Sequence, residues 1–256
     1  MGESNAPYPM PTWASGIAGR HSLVTGAGRG IGRACALALA RAGSQVVAVA
    51  RTASDLESLV AEGDGRIEAW LDDVTTDGFF ARMDRLERLD ILVNNAGTNR
   101  PLPVQDVDLA TLDNMLNLNV RAVYRTSQAA ARIFLRNERG GSIVHMSSQM
   151  GHVGAAGRSV YCMTKHAVEG LTKALAVELA PRNIRVNSVA PTFIETPLTR
   201  PMFDDESFRR GVLASIPLGR LGQVDDVVGA VMFLASPAAA MVTGHSLRVD
   251  GGWTAR

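Results

Sequence analysis

The sequence predicts a single α/β domain built on a doubly wound parallel sheet with helices on both faces. Short apolar runs bounded by turn residues alternate with helical segments along the chain, and this alternation is typical of βαβ units and a parallel sheet. A length of 256 residues suits one large domain of this class. No change in composition marks a boundary with a second domain.

The overall composition gives no electrostatic reason to expect a nucleic acid or a membrane as partner. Hydrophobic residues make up 46% of the chain, charged residues 20%, and the formal net charge is +1. No apolar run approaches the roughly 20 residues of a membrane span. The two cysteines, Cys35 and Cys162, predict neither a disulfide framework nor a metal site. A reducing, cytoplasmic location is therefore expected.

Residues 1–18 are expected to form a flexible tail in front of one folded domain that covers residues 19–256. The tail contains three prolines and lacks the apolar segment of a signal peptide.

The first βαβ unit contains a glycine-rich turn. A strand is predicted over 21–25, a helix over 31–41 and a second strand over 45–50. The turn between the first strand and the helix contains Gly26, Gly28, Gly30 and Gly32. Such a turn lets backbone N–H groups and the helix dipole meet a phosphate. The spacing is not G-x-G-x-x-G, and glycine clusters also form ordinary turns, but the position between a strand and a helix favours a phosphate site.

The end of the second strand is where a dinucleotide site usually binds the adenosine ribose. An acid at this point binds the 2′-hydroxyl of NAD, whereas an arginine accommodates the 2′-phosphate of NADP. The chain has Arg51 followed by Thr52, and a second arginine, Arg29, lies in the glycine turn. Both arginines could be ordinary solvated side chains, but their positions favour NADP over NAD.

The next units place polar loops at the carboxyl ends of two strands. Helices are predicted over 55–62 and 77–88, and strands over 67–71 and 91–93. The third strand is followed by Asp73 and Val74, and the fourth by the sequence Asn-Asn-Ala-Gly at 94–97. Two amides and a glycine at this edge suit hydrogen bonding near a cofactor, although they could also form an Asx-type turn that only ends the strand.

The middle of the chain contains an asparagine and a serine with two possible interpretations. A helical segment over 109–136 includes Asn119, and a buried helix asparagine often only satisfies a neighbouring carbonyl group. A strand over 142–146 ends at Ser147 and Ser148. A serine at the end of a strand either forms a turn or binds a ligand at the carboxyl edge of the sheet.

Tyr161 and Lys165 lie four residues apart in a helix predicted over 159–180, so both side chains share one face. A tyrosine normally titrates near pH ~10, and a nearby ammonium group favours its phenolate form. The pair therefore predicts an acid/base device. Taken alone, the same spacing also occurs by chance on surface helices.

The C-terminal part completes the sheet. Strands are predicted over 185–190 and at 247–249, and a helix over 224–234. The irregular segment 192–217 is a candidate lid over a pocket, or else a plain surface excursion.

Together these motifs resemble the short-chain dehydrogenase/reductase family. The resemblance runs from about residue 16 to the end and covers TGAGRGIG at 25–32, NNAG at 94–97, LNLNV at 116–120, IVHMSS at 143–148, YCMTK at 161–165, RVNSVAP at 185–191 and VDGG at 249–252. It implies a Rossmann-type fold, a small-molecule substrate, and the interconversion of a secondary alcohol and a ketone by hydride transfer. No metal ligand set is implied.

The resemblance implies a catalytic tetrad of Asn119, Ser148, Tyr161 and Lys165. In this family Tyr161 would transfer the proton and Ser148 would hold the substrate oxygen. Lys165 would bind the nicotinamide ribose and lower the pKa of Tyr161, and Asn119 would support a water-linked proton path.

The resemblance also implies the binding residues and a homotetramer. NADP(H) is expected, with NAD(H) as the alternative, at Gly26, Arg29, Gly30, Ile31, Gly32, Arg51, Thr52, Asp73, Val74, Asn95, Ala96, Gly97, Tyr161, Lys165, Pro191, Ile194 and Thr196. The substrate is expected at Ser148, Met150, His152, Val153, Phe193 and Leu198, with Gln149 also near the pocket. One departure is Pro191-Thr192, where the family commonly has Pro-Gly, so the path of this loop is open.

Two further functions remain open from the sequence. One is an NAD-dependent dehydrogenase of the polyol or hydroxysteroid type. The other is a dinucleotide-sensing protein of the same fold without catalysis, which usually lacks a tetrad residue; this chain keeps all four.

Overall fold

The computed structural model describes residues 16–197 and 199–255, and these form seven strands and eight α-helices. The strands are β1 His21–Thr25, β2 Gln45–Ala50, β3 Ile67–Leu71, β4 Ile91–Asn94, β5 Gly141–Met146, β6 Ile184–Pro191 and β7 Ser246–Val249. The helices are α1 Gly30–Arg41, α2 Ala53–Ala61, α3 Asp77–Asp84, α4 Leu109–Leu116, α5 Val123–Asn137, α6 Ser159–Leu179, α7 Glu206–Ser215 and α8 Val224–Ala235.

The strands form one parallel sheet in the order β3-β2-β1-β4-β5-β6-β7. The predicted doubly wound sheet is confirmed. The chain changes direction between β1 and β4, which opens a crevice at the carboxyl ends of these strands, where ligands bind in open α/β sheets.

Each face of the sheet covers its own hydrophobic cluster, because strands of a parallel sheet are buried on both sides. In β1, Val24 belongs to the cluster under α1 and α8, whereas Leu23 belongs to the cluster under α3 and α5. Ile17, just before β1, is fully buried in the first cluster. Residues 1–15 of the predicted tail lie outside the described residues.

Two helical regions differ from the prediction. The segment predicted as one helix over 109–136 is interrupted by the π-helical turn Asn117–Ala122 between α4 and α5. The candidate lid 192–217 contains α7, which begins after Asp205, whose carboxylate accepts hydrogen bonds from the N–H groups of Ser207 (2.8 Å) and Phe208 (3.1 Å). This N-terminal cap explains a helix that apolar periodicity did not reveal.

No helix among the described residues is long and apolar enough to cross a membrane.

Candidate active site

The four tetrad residues converge at the carboxyl end of β5. Ser148 follows this strand, and Lys165 reaches back from α6 to donate a hydrogen bond from Nζ to Met146 O at 2.8 Å. Gly97 completes the group, because a Cβ atom at this position would lie 3.3 Å from Asn119 Oδ1 and 3.8 Å from Lys165 Nζ. A larger residue would be tight against Asn119, so a glycine suits this close approach of the loop after β4.

Asn119 is held by the π-helical turn and holds the neighbouring loop in place. Its Oδ1 accepts a hydrogen bond from Thr98 N, and its Nδ2 donates to Thr98 O, both at 2.8 Å. Nδ2 also donates to Thr164 Oγ1 at 3.2 Å, which links Asn119 to α6. Single π turns often mark functional sites because they re-aim a side chain within a helix. The structural role of Asn119 is thus visible, and its role in proton transfer stays a prediction.

The pKa of Tyr161 differs from the expectation. Burial raises this pKa, and the two effects that oppose the rise are the hydrogen bond with Ser148 and the positive charge of Arg158; Cys162 adds to the rise. Lys165, which was expected to lower the pKa, lies with Nζ 5.5 Å from the centre of the Tyr161 ring and bonds a backbone carbonyl instead. In the protein without cofactor, Tyr161 is therefore a protonated phenol at neutral pH.

The pKa of Lys165 is also shifted by burial. Burial lowers its pKa from 10.5 to about 8, and the carboxylate of Glu169 opposes this shift. Glu169 lies one helical turn further along α6 and is only 5% exposed. Ser188 Oγ and Ser246 Oγ donate hydrogen bonds to its two oxygens at 2.9 and 3.0 Å. This buried carboxylate, missed at the sequence level, is the counter-charge of the lysine.

His152, predicted to contact the substrate, lies in a network with Ser246 and Glu169. Its Nε2 lies 2.9 Å from Ser246 Oγ and 3.4 Å from Glu169 Oε1. The ring is thereby linked to the carboxylate that faces Lys165. The contact of His152 with the substrate stays a prediction.

A groove of about 510 Å³ lies at the crevice between β1 and β4. It is lined by Gly26, Gly28, Arg29, Val49, Ala50, Arg51, Thr52, Asp55, Asp72, Asp73, Val74, Thr75, Ala96, Gly97, Thr98, Asn114, Asn117 and Leu118. Most of the predicted adenosine-side residues are therefore brought together in one groove.

The glycine turn and the loop after β4 are packed directly on each other. Gly26 has a φ of +65°, and a Cβ atom there would lie 2.9 Å from Ala96 Cα. Asn95 Nδ2 donates to Thr25 O at 3.0 Å and to Gly26 O at 3.1 Å. Asn95, predicted to bind the cofactor, thus links two loops of the binding groove by hydrogen bonds. A turn of this shape at the start of α1 fits a dinucleotide pyrophosphate.

The two predicted cations lie on the groove, each beside an aspartate. Arg29 Nε is 2.6 Å from Asp55 Oδ2, and Arg51 Nη1 is 3.7 Å from Asp73 Oδ2. Both arginine side chains remain largely exposed, at 67% and 73%. Surface pairs of this kind contribute little stability, so both guanidinium groups can turn to a phosphate. The charges of the groove fit a 2′-phosphate.

The remaining cofactor candidates border the same region. A Cβ atom at Gly30 would lie 3.5 Å from the Thr196 side chain, so the start of the candidate lid adjoins the glycine turn. Ile194 is buried and forms a β-bridge with Gly222.

Thr192, which stands where the family commonly has glycine, has a buried Oγ1 without a partner among the described residues. Ile31 is partly buried, Gly32 packs on Gly26 and Asn95, and Pro191 ends β6.

On the substrate side, the predicted residues have different environments. Met150 is buried and Val153 partly buried. Phe193 packs against Phe203, Phe208 and Trp253, with ring centres 5.6 to 6.1 Å apart, in a cluster that joins the candidate lid to the C-terminal residues. Leu198 lies outside the described residues.

Comparisons with known proteins agree with this site. A family model described as enoyl-(acyl carrier protein) reductase matches residues 26–254. The chain is 43% identical to L-xylulose reductase of Mesocricetus auratus over 238 residues, covering 93% of this chain and 98% of the relative. The chain belongs to the short-chain dehydrogenase/reductase family. It is therefore an NAD(P)-dependent oxidoreductase of the class that acts on CH–OH groups.

Two further relatives of this family act on sugar acids by name. One is 2-dehydro-3-deoxy-D-gluconate 5-dehydrogenase of Bacillus subtilis, 38% identical over 255 residues, with 95% of this chain and 98% of the relative covered. The other is a solved gluconate 5-dehydrogenase of Burkholderia cenocepacia in complex with NADP and tartrate. Its TM-score is 0.89 at 33% identity, with 95% of this chain and 99% of that chain covered.

Proposed function

We propose that the protein is an NADP(H)-dependent oxidoreductase that interconverts a secondary alcohol and a ketone in a small polyhydroxylated compound. The observation that carries this proposal is the convergence of Ser148, Tyr161 and Lys165 at the end of β5, next to a groove that fits a dinucleotide. NADP(H) enters the proposal because Arg29 and Arg51 lie on this groove and because the solved gluconate 5-dehydrogenase holds NADP.

In the direction of reduction, NADPH held in the groove would supply the hydride that the carbonyl carbon of the substrate accepts. The phenol of Tyr161 gives its proton to the carbonyl oxygen, which becomes the hydroxyl of the product. Its raised pKa keeps this proton in place until the oxygen becomes basic. Ser148 would hold the substrate oxygen beside Tyr161, with which its side chain shares a hydrogen bond. Oxidation of the alcohol runs through the same groups in reverse.

Lys165 supplies the positive charge of the site. Its ammonium group would bind the nicotinamide ribose and stabilise the phenolate that remains after proton transfer. Glu169 keeps this ammonium charged near neutral pH, because its carboxylate opposes the effect of burial on the pKa. Asn119 would order the water that returns a proton to the site.

A polyhydroxylated substrate is supported by polar atoms beside Ser148. Gln149 is only 1% exposed, and its Oε1 has no partner among the described residues. A buried acceptor without a donor is unfavourable, and a substrate hydroxyl would satisfy it. The named substrates of the relatives, a ketose and sugar acids, carry several hydroxyl groups.

The test is a turnover screen with NADPH and with NADH across ketoses, keto derivatives of sugar acids, cyclic ketones and steroids. We expect oxidation of NADPH with at least one polyhydroxylated ketone, and a lower kcat/KM with NADH. Turnover of steroids alone, or a clear preference for NADH, would favour the dehydrogenase of the hydroxysteroid or polyol type. Binding of NADPH without turnover of any carbonyl compound would support a dinucleotide sensor.

The proposal includes a homotetramer in the cytoplasm. Large apolar side chains are exposed on several helices, among them Leu109 of α4 and Val177 of α6, at 76% and 80%. Both cysteines are free, which suits a reducing compartment.

A further inference from the structure

Arg158 is a buried cation beside the active site that the proposed chemistry does not use. It immediately precedes α6, three residues before Tyr161, and only 7% of its surface is exposed. Within residues 16–197 and 199–255, its guanidinium group forms no ion pair and no side-chain hydrogen bond. The little surface that Arg158 keeps leaves its guanidinium group open to a ligand, and a mostly buried charge without a partner is unfavourable. Such an arrangement is expected where a ligand supplies the missing partner.

The titratable groups that face Arg158 do not neutralise it. They are the phenol of Tyr161 and the thiol of Cys162, both of which interact with its charge. Neither group is a carboxylate, and a guanidinium group stays protonated in proteins. Arg158 therefore presents a permanent positive charge next to the residue proposed to transfer the proton.

The backbone holds Arg158 in a fixed place. Its N–H donates to Ala155 O at 3.2 Å, and its carbonyl accepts from Cys162 N at 2.8 Å. The preceding residue, Gly157, accepts a hydrogen bond from Leu102 N at 3.0 Å, which ties this turn to the loop after β4. A binding group supported by two rigid elements can recognise one position of a small ligand.

We propose that the guanidinium group of Arg158 binds a carboxylate of the substrate, so that the preferred substrate is a hydroxy acid or keto acid rather than a neutral sugar. This inference rests on the proposed function, since it concerns the substrate of the same site. Arginine meets a carboxylate with two parallel N–H···O bonds, which would both orient the acid and compensate the buried charge. The tartrate bound to the gluconate 5-dehydrogenase of similar fold is itself a carboxylic acid.

A second role for Arg158 must be separated from this one. Its charge also lowers the pKa of Tyr161 against the larger effect of burial. Loss of this effect would slow turnover of neutral and acidic substrates alike. Loss of a carboxylate contact would slow only the acids. The ratio of the two specificity constants therefore isolates the proposed contact.

The experiment compares 5-dehydro-D-gluconate with L-xylulose, each with saturating NADPH, in the wild type and in Arg158→Gln. We expect the wild type to prefer the acid. We expect Arg158→Gln to lower the ratio of kcat/KM for the acid over kcat/KM for the ketose by about 10- to 100-fold, as for loss of a charge-assisted hydrogen bond. Arg158→Lys should recover part of the ratio. The control Arg182→Gln removes the same charge from an exposed position just beyond α6 and should leave the ratio unchanged.

A binding measurement covers the case in which Arg158→Gln is poorly folded. Tartrate and threitol have the same carbon skeleton, and only tartrate carries carboxylates. With NADP+ present, tartrate should raise the Tm of the wild type more than threitol does, and this difference should vanish in Arg158→Gln or Arg158→Ala, whichever folds, and persist in part in Arg158→Lys.

The outcomes distinguish this inference from the proposed function. If L-xylulose is reduced and the ratio is the same in Arg158→Gln and the wild type, the carboxylate contact is wrong and the proposed function stands. If neither compound is reduced, the proposed function loses its support, and the comparison of tartrate with threitol decides the role of Arg158. Equal effects of the two compounds on the Tm would overturn the inference.

Discussion

At the scale of single residues, the charge of Lys165 depends on a balance between burial and Glu169. The pKa of Lys165 is lowered to about 8, so its ammonium group is charged at neutral pH and loses its charge as the pH rises through about 8. The unfolded chain keeps this proton up to its usual pKa of 10.5, so between about pH 8 and 10.5 the unfolded state binds more protons than the folded state. Lys165 therefore increases the free energy of unfolding as the pH rises through this range.

This balance gives a prediction for Glu169→Gln. The Glu169 carboxylate raises the pKa of Lys165 against the effect of burial, so its removal should lower this pKa further. The Kd of NADPH, measured by fluorescence from pH 6 to 10, should rise with pH, and the midpoint of this rise should lie at lower pH in the variant. Glu178→Gln, an exposed position on the same helix, should leave the midpoint unchanged. A midpoint shared by all three proteins would contradict the assigned role of Glu169.

Arg51 carries the prediction on cofactor choice. Its guanidinium group is largely exposed beside Asp73, at 3.7 Å, and lies on the adenosine side of the groove. A charge-assisted hydrogen bond to the 2′-phosphate contributes about 1.5–3 kcal/mol, or roughly tenfold or more in preference. We expect Arg51→Asp to reverse the preference, so that kcat/KM becomes higher with NADH than with NADPH. Arg29→Ala should have a smaller effect, since Asp55 already pairs with Arg29 at 2.6 Å.

The identities of these residues were accessible from the sequence to different degrees. Tyr161, Lys165 and Ser148 were recognised because they follow a strand at characteristic spacing. Glu169 and Arg158 were not, because an acid or a base on a helix is ordinarily a solvated side chain, and only tertiary packing reveals that both are buried. The effect of burial, which raises the pKa of Tyr161, was not predicted, since burial cannot be judged from the spacing of two residues in a helix.

At the scale of elements, the turn between β1 and α1 depends on close packing against the loop after β4. Gly26→Ala should destabilise the protein for two reasons: the left-handed φ of +65° and the contact with Ala96. Each effect is worth about 1–3 kcal/mol. We expect a lower Tm together with a weaker Kd for NADPH.

The matched control is Gly65→Ala, in the turn before β3. This glycine also has a positive φ, +72°, but nothing lies within 4 Å of an added Cβ atom. Its variant should therefore show the backbone strain alone, with a smaller loss of Tm and an unchanged Kd for NADPH. Equal losses in both variants would show that contact with Ala96 does not matter.

The helical elements also show where sequence periodicity fails. A π-helical turn keeps hydrophobic residues close to helical spacing, so the residues over 109–136 predict one uninterrupted helix, whereas the structure inserts Asn117–Ala122 and thereby aims Asn119 at Thr98. In the candidate lid, helix α7 is capped by Asp205 and packs through Val212 against a small separate cluster. The sequence of α7 is short and mixed, so it predicts a helix less clearly than the long sequence of α6 does.

At the scale of the whole molecule, we expect a homotetramer. Exposed apolar side chains lie on α4, α5 and α6, including Tyr124, Met163 and Val177, and closed symmetry is the usual outcome for soluble homo-oligomers. Light scattering at micromolar concentration should give four times the mass of the chain, 27.2 kDa. Val177→Glu should lower this mass, because the carboxylate would lie in an apolar interface. A monomeric wild type would refute the expectation.

The strands of the sheet and their parallel arrangement were predicted, because each strand is a short apolar run between turn residues and parallel strands need helical crossovers. All seven predicted strands form and lie parallel. Strand ends shifted by a residue, as at Ile184 and Pro191 of β6, since hydrogen bonding to the neighbouring strand decides where a strand stops. The order of the strands does not follow from the alternation of elements alone and was not predicted.

The measurement that tests the central claim most directly is the activity of Tyr161→Phe. Phenol and phenyl rings have nearly the same shape, so the variant should keep the wild-type Tm within a few degrees and bind NADPH, while kcat falls by at least about 10²-fold, the lower range for general acid–base catalysis. Tyr124→Phe, on the exposed face of α5, should keep full activity. Turnover by Tyr161→Phe at a rate near that of the wild type would contradict the proposed role of Tyr161 and the mechanism built on it.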